Sequence, residues 1–294
     1  MDSSAHEEMV ISGRWPKIAS LRSEWYRDLP DPEAVVGQLR AAGSKVDLFT
    51  FSQRIPHTEP RHAYPTEWDE MAVIRVVSFE HWWNEQIPKS TRKHIRRSEK
   101  LGVVTRLVPL DDALLKGIAE IYNESPLRDG MPFSHYHASL ETLRQTHETY
   151  LDRSDFIGAF FGGELVGFVK LVYSGLTART MQIIAKLKHR DKWPTNAMVA
   201  KAVHRCAEKG VPYLVFGELH YADGGNPGLT SFKMENGFTA MKVPRYYIPL
   251  SVGGKLALSL GLHRGFVQLL PRSVVQWLRA LRSQWYALKY RQVS

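Results

Sequence analysis

The sequence predicts an α/β protein of the α+β kind, with a mixed, mostly antiparallel sheet flanked by helices and a C-terminal basic amphipathic helix. First, three strand-like runs follow one another: DFIGAFF (155–161), ELVGFVKLVY (164–173) and TARTMQIIAK (177–186). Gly162-Gly163 joins the first two, and glycines tolerate the positive φ of a tight hairpin, so these runs pair antiparallel. Second, residues 193–210 read as helix and YLVFG (213–217) as a short buried strand. A strand returned through a helical crossover lies parallel to its neighbour. Third, Val274, Trp277, Leu278, Leu281, Trp285 and Leu288 share one helical face, opposite Arg272, Arg279, Arg282 and Lys289.

The remaining elements follow in order. Residues 13–45 read as helical, with a break at LPDP (29–32). VDLFTF (46–51) is β-branched and aromatic enough for a strand, and the three prolines of 54–65 make a loop. MAVIRVV (71–77) reads as a buried strand. Residues 79–102 read as helix interrupted near Pro88, restarting with Ser90 or Thr91 as N-cap and stopping at Gly102. Leu114, Leu115, Ile118, Ile121 and Tyr122 mark an amphipathic helix over 111–125, and another helix follows over 137–151. The helix over 193–210 has Pro194 near its first turn, an apolar face of Val199, Ala202, Val203 and Cys206, and a stop at Lys209-Gly210. YYIPL (246–250) is the last strand, and helices occupy 255–294.

At 294 residues and 44% hydrophobic content the chain has ample material for a core. Its single cysteine, Cys206, excludes an internal disulfide, fits a cytoplasmic location and is expected to be packed. No run approaches the ~18 apolar residues of a membrane span. The net charge of +9 is segregated: Glu235 is the last acidic residue, nine cations follow it, and residues 1–235 balance to zero. The basic excess therefore points the tail 255–294 at something anionic, an anionic membrane surface or a lipid-linked substrate, the alternative being a helix docked on the body with its cations in water.

Several stretches resemble the GNAT acyltransferase superfamily and, more narrowly, the Fem-type aminoacyltransferases of peptidoglycan bridge synthesis and their relatives. They are STRKHIRRSEKLGV (90–103), GELVGFVKLVY (163–173), PTNAMVAKAVHRCAEKGVPYLVFG (194–217) and FKMENGF (232–238), together spanning 71–250. The resemblance implies an acyltransferase domain over 71–250. It makes 1–70 the remnant of a first acyltransferase-like domain and leaves 251–294 as a basic helical tail. It also implies no tightly bound cofactor, with acyl-CoA or aminoacyl-tRNA as co-substrate and an amine-bearing small molecule or cell-envelope precursor as acceptor. The superfamily's glycine-rich pyrophosphate loop falls at 187–196, where this chain has no glycine. That departure weighs against ordinary acetyl-CoA.

Acyl transfer to an amine requires a polarised carbonyl, a deprotonated acceptor and alignment of the two. Lys233 matches the Fem lysine implicated in meeting the donor or stabilising the oxyanion; without the motif it reads as a solvated helix lysine. Glu218 and His220, with Tyr221 and Asp223, follow the 213–217 strand and are general-base candidates. The helix opening at Thr195 and Asn196, preceded by Arg190 and Lys192, suits a donor phosphate. Backbone amides near Ile183 and Ile184 are placed to polarise the carbonyl, and Phe232 lines the donor side or joins the core. Arg92, Arg96 and Arg97 on the basic helix, with Arg128 and Tyr136 in the RDGMPFSHYH loop (128–137), are candidates for acceptor or anion binding. His135 and His137 have no companion ligands, so no metal site is expected. The expected activity is N-acyl or N-aminoacyl transfer by direct attack; the alternative is a non-catalytic protein holding RNA or an anionic lipid-linked precursor.

Overall fold

Period-two hydrophobicity and tight turns place twelve strands among nine α-helices in the described residues of a computed structural model. The structure describes residues 9–128, 130–220, 227–265 and 272–291. In chain order the elements begin with β1 (Met9–Ser12), β2 (Ile18–Leu21), α1 (Pro32–Ala41), β3 (Leu48–Ser52) and β4 (Thr66–Arg75). Then come α2 (Phe79–His81), continuing as a π-turn over Trp82–Gln86, α3 (Lys89–Lys100), β5 (Val104–Val108) and α4 (Asp112–Asn123). The short hairpin β6 (Leu127–Arg128) and β7 (Met131–Pro132) precedes α5 (Leu140–Glu148), β8 (Ser154–Phe161), β9 (Glu164–Ser174) and β10 (Thr177–Ala185). A 3-10 turn (Leu187–Lys192) leads into α6 (Pro194–Glu208), β11 (Tyr213–Glu218) and α7 (Pro227–Glu235). The chain closes with β12 (Thr239–Pro249), α8 (Val252–Ser259) and α9 (Arg272–Arg291).

These elements form two compact units, Met1–Met71 with Ala240–Pro271 and Ala72–Thr239 with Arg272–Ser294. The division follows different boundaries from a split at 71 and 251. In the first unit β1, β2, β3 and β12 are neighbours in that order; β2–β3 is parallel, the other two pairs antiparallel. Its core is aromatic, with Phe49, Phe51 and Tyr246 packed together. Arg245 of β12 is held between Asp69, 2.8 Å away, and Glu24, 3.2 Å away.

In the second unit the strand order is β4-β11-β10-β9-β8-β5. β10–β11 is parallel, and the β10–β9, β9–β8 and β8–β5 pairs are antiparallel. One face carries a core of α3 and α6 residues, including Ile95, Met198, Val203 and Cys206. The other packs α4 and α5 through Leu115, Ile118, Ile121 and Leu143. The Gly162-Gly163 turn takes φ 57° and 84°, as two adjacent left-handed positions require.

Three local expectations are corrected. Residues 18–21 are a strand, not helix: Ala19 and Leu21 are buried while Ile18 and Ser20 are half-exposed, a period of two. The helix of this stretch starts only after Asp31, whose side chain accepts the Ala34 amide. α3 starts at Lys89 after Pro88, with no side-chain cap. Thr91 instead donates to the Glu235 carbonyl at 2.9 Å. Strand β5 had no reading in sequence, since Val104 and Leu107 are exposed on it and no apolar alternation marks an edge.

Candidate acyl-transfer site

The site begins with a register that stops. β10 and β11 pair only at Thr177–Tyr213, Ala178–Leu214 and Arg179–Val215. Thr180 Oγ1 adds a bond to the Val215 carbonyl at 3.2 Å. β10 then continues to Ala185 on β9 alone, with a bulge between Thr180 and Gln182. The edge of β10 from Gln182 to Ala185 thus faces away from β9 with no strand partner among the described residues. Ile183 and Ile184 lie here, and period-two geometry sends their side chains to opposite cores. Only their backbones belong to the open edge.

Lys233, on α7, reaches the end of β11 with its amine. It has no exposed surface, its Nζ donates to the Glu218 carbonyl at 2.6 Å, and it stands 4.7 Å over the Phe216 ring. Burial pulls its amine down to about 8, Glu218 opposing and Arg179 reinforcing. The solvated-lysine reading is therefore excluded, and so is direct exposure of the amine to a donor.

The stretch around Lys233 is a knot of backbone contacts. Trp82 Nε1 donates to the Asn236 carbonyl at 3.0 Å, and Asn236 Nδ2 donates to the Phe232 carbonyl at 2.7 Å. Gly237 sits at φ 86°, and a Cβ there would stand 3.0 Å from Trp82 Nε1, so the glycine is required by both conformation and space. Phe232 is half-buried against the α3/α6 core. Asn196 is buried and donates to Asn236 Oδ1 at 3.1 Å. It is an internal brace, and its assignment to the donor is corrected on that ground.

The first turn of α6 carries no side-chain cap, and Thr195 there is half-exposed. Trp193, at φ 50°, sits just before it. His94 stacks on Trp193 at 4.9 Å and 8°, and the Arg97 guanidinium lies 5.0 Å from the same ring. Arg96 stands 5.4 Å over Trp83. A groove of about 560 Å³ is lined, among the described residues, by Lys89, Arg92, Lys93, Arg96, Arg97 and Lys100. Arg92 differs from its neighbours: its Nη1 donates to the carbonyls of Trp83, Asn84 and Ile87 at 2.7–3.1 Å. It ties off the π-turn.

The loop before α6 holds an anion of its own. Glu124, past the end of α4, accepts from the amides of Leu187 at 2.5 Å and Lys188 at 2.9 Å. Arg128 donates to the Ala185 and Ile121 carbonyls at 2.8 and 2.7 Å and lies 3.3 Å from Glu124. Its guanidinium latches this loop, which corrects its assignment to the acceptor. Lys186 and Lys188 pair with Glu164 at 2.5 and 2.8 Å. These contacts, Lys186 first, hold the Glu164 carboxyl down at about 2. Lys192 pairs with Asp191 at 3.2 Å, and Arg190 is exposed.

His220 is exposed and Glu218 half-exposed at the mouth of β11; Tyr221 and Asp223 lie outside the described residues. Tyr136 is half-buried against His137. Sequence reasoning missed Glu124, Trp193 and a buried polar cluster on the α4/α5 side of β10. There Tyr122 donates to Gln182, and Lys170 donates to the carbonyls of His147 and Thr149 at 2.8 and 2.5 Å. For Trp193 a signal existed: an aromatic directly before the helix-opening proline.

Neither a protein-family model nor a curated protein matches the sequence. Solved structures do. L-PGS from Bacillus licheniformis superposes with a TM-score of 0.59 at 15% identity, over 88% of this chain and 85% of that one. FemX gives 0.58 at 11%, over 86% of each chain. The C-terminal domain of a protein assigned as a lysylphosphatidylglycerol synthetase from Agrobacterium fabrum gives 0.57 at 14%, over 86% and 83%. At such identities the likeness is one of fold: the chain has a GNAT-like fold, shared with the L-PGS and FemX structures.

Proposed function

We propose that the chain is an acyltransferase that moves an acyl or aminoacyl group from a phosphate-bearing carrier to an acceptor amine by direct attack. One observation carries this: β10 leaves β11 after Arg179, and the buried amine of Lys233 is fixed to the carbonyl that ends β11. A carbonyl placed against the open β10 edge meets backbone N–H groups, which stabilise the developing oxyanion. The acceptor nitrogen attacks, the new C–N bond forms, the bond to the carrier oxygen or sulfur breaks, and the nitrogen's proton leaves to a base. Glu218 and His220 stand at the mouth for that proton. Lys233 is a positioning residue: it holds the Glu218 carbonyl and places a fixed positive charge behind the cleft.

For the donor, we favour an aminoacyl ester on RNA over acyl-CoA. The Leu187 and Lys188 amides already hold the Glu124 carboxylate, so a diphosphate would have to displace an internal anion. The groove on α3, with Trp83, His94 and Trp193 beside its cations, supports a carrier of phosphates and flat bases. The name of the Agrobacterium fabrum neighbour, assigned as a lysylphosphatidylglycerol synthetase, supports the aminoacyl choice. We place the reaction in the cytoplasm, with a cell-envelope or lipid-phase acceptor.

The test is single-turnover transfer from a pool of charged tRNAs, and separately from acyl-CoA, to amine and hydroxyl acceptors. Lys233→Met is expected to lower kcat about 10²-fold or more and to abolish a basic limb near pH 8, with tRNA affinity unchanged. A second reading, a non-catalytic RNA or lipid-precursor binder, draws on the α3 groove alone. It stands instead if the wild type transfers no faster than background and Lys233→Met is silent, while R96Q/R97Q removes binding.

A further inference from the structure

The transfer site makes no use of α9, yet this helix shows an outward apolar face. At 100° per residue, Val274, Trp277, Leu281, Trp285 and Leu288 fall within an arc of about 80°. They are 38%, 61%, 43%, 55% and 65% exposed. The seat of the helix is on its other side. Ser283, half-buried, points away from the stripe, and a Cβ at Gly130 in the β6–β7 turn would overlap its hydroxyl. Tyr286 and Tyr290, half-buried, flank Ser283 on that docked side. The orientation is thus set by docking: hydroxyls and phenols inward, indoles and leucines outward.

What covers such a face follows from charge. No acidic residue occurs after Glu235, while α9 contains five cations by sequence. Arg282 and Lys289 are exposed beside the stripe, with Lys289 Nζ 5.2 Å over the Trp285 ring. A second copy would set these cations against their equals with no carboxylate between them, which is unfavourable. Phosphate headgroups above acyl chains offer the opposite arrangement, negative charge at the level of the cations and hydrocarbon at the level of the stripe. Tryptophan suits the boundary between the two. No helix of the described residues is long and apolar enough to cross a membrane, so the helix lies along the surface.

We propose that α9 is an in-plane anchor for an anionic phospholipid surface, with Trp277, Leu281, Trp285 and Leu288 in the acyl boundary and Arg282 and Lys289 at the phosphates. The proposal stands independently of the acyl-transfer reading. The full chain is mixed with vesicles of phosphatidylcholine and phosphatidylglycerol at 3:1, and with phosphatidylcholine alone, and partitioning is read by flotation. Binding is expected on the mixed vesicles and about tenfold or more weaker on the neutral ones. R282Q/K289Q should weaken binding about tenfold and flatten its salt dependence, and W277S/W285S should weaken it more than about tenfold at every salt concentration. Acyl chains brominated near the headgroup should quench tryptophan emission in the wild type and much less in W277F/W285F, which is the milder variant if the serines unfold the helix. Equal flotation of all variants, no flotation of the wild type, or a concentration-dependent dimer that W277S/W285S makes monomeric would each overturn the proposal.

Discussion

Lys170 and Lys233 have no exposed surface; Lys170 donates to the carbonyls of His147 and Thr149 at 2.8 and 2.5 Å, and Lys233 to that of Glu218 at 2.6 Å. Lys170, on β9, reaches the C-terminal end of α5 with its ammonium, where the carbonyls carry the negative end of the helix dipole. Burial still dominates and pulls both amines down to about 8. The sign follows from proton binding. Between about 8 and the ordinary lysine value the unfolded chain holds protons that the folded one has released, so stability rises with pH there. The unfavourable charge is fully present below the folded value. Burial pushes the Tyr122 phenol well above its ordinary value, and this acts in the other direction only above about pH 10. Urea unfolding between pH 8 and 10 is expected to show a rise of about 2–3 kcal/mol per lysine, and Lys170→Met to remove about half of it. A pH-independent midpoint in the wild type would contradict this account. The FKMENGF motif flagged Lys233, but not its burial, because burial depends on Phe216 and Glu218 from another element. Asn196 is a different case. It precedes Val199 by three and Val203 by seven, on the same apolar stripe, so its inward direction was legible and the helix-start argument overrode it.

At the scale of elements, the hairpins, crossover helix and amphipathic faces were readable because each is a local period. The anion inside the loop before α6 was not, since Glu124 reaches amides more than sixty residues away. That contact yields a prediction. Titration of CoA into the wild type should show no binding at these amides, whereas Glu124→Gln removes the resident charge and frees donors for phosphate. We expect inorganic diphosphate to stabilise the variant and not the wild type in thermal unfolding. The π-turn, α3 and the α7 end form a second element-scale unit. At Gly237, φ 86° strains any side chain, and a methyl group 3.0 Å from Trp82 Nε1 would require the indole to give by a few tenths of an ångström. Gly237→Ala should cost roughly 1–3 kcal/mol in urea unfolding, and a smaller change would mean that Trp82 moves freely. The basic face of α3 was visible as a charge run, but its aromatic partners came from the π-turn and from Trp193, which no spacing rule connects.

Over the whole molecule, charge is divided along the chain: residues 1–235 are neutral and the +9 excess belongs to the remainder. The cations of the α3 groove are therefore balanced by acids elsewhere in the first 235 residues, while those of α9 have no such partners in their own segment. The two basic surfaces share no residue, and they are assigned different anions, RNA phosphates for α3 and lipid phosphates for α9. Independent contacts should contribute additively. R96Q/R97Q is expected to weaken charged-tRNA binding and to lower the slope of log affinity against log salt by about 1.5, with flotation on anionic vesicles unchanged. R282Q/K289Q should do the reverse. Combining the four substitutions should give the sum of the separate effects within about 0.5 kcal/mol on each ligand. If instead either pair weakens both ligands, one anionic surface spans α3 and α9, and the separation of carrier from membrane drawn from the charge distribution fails.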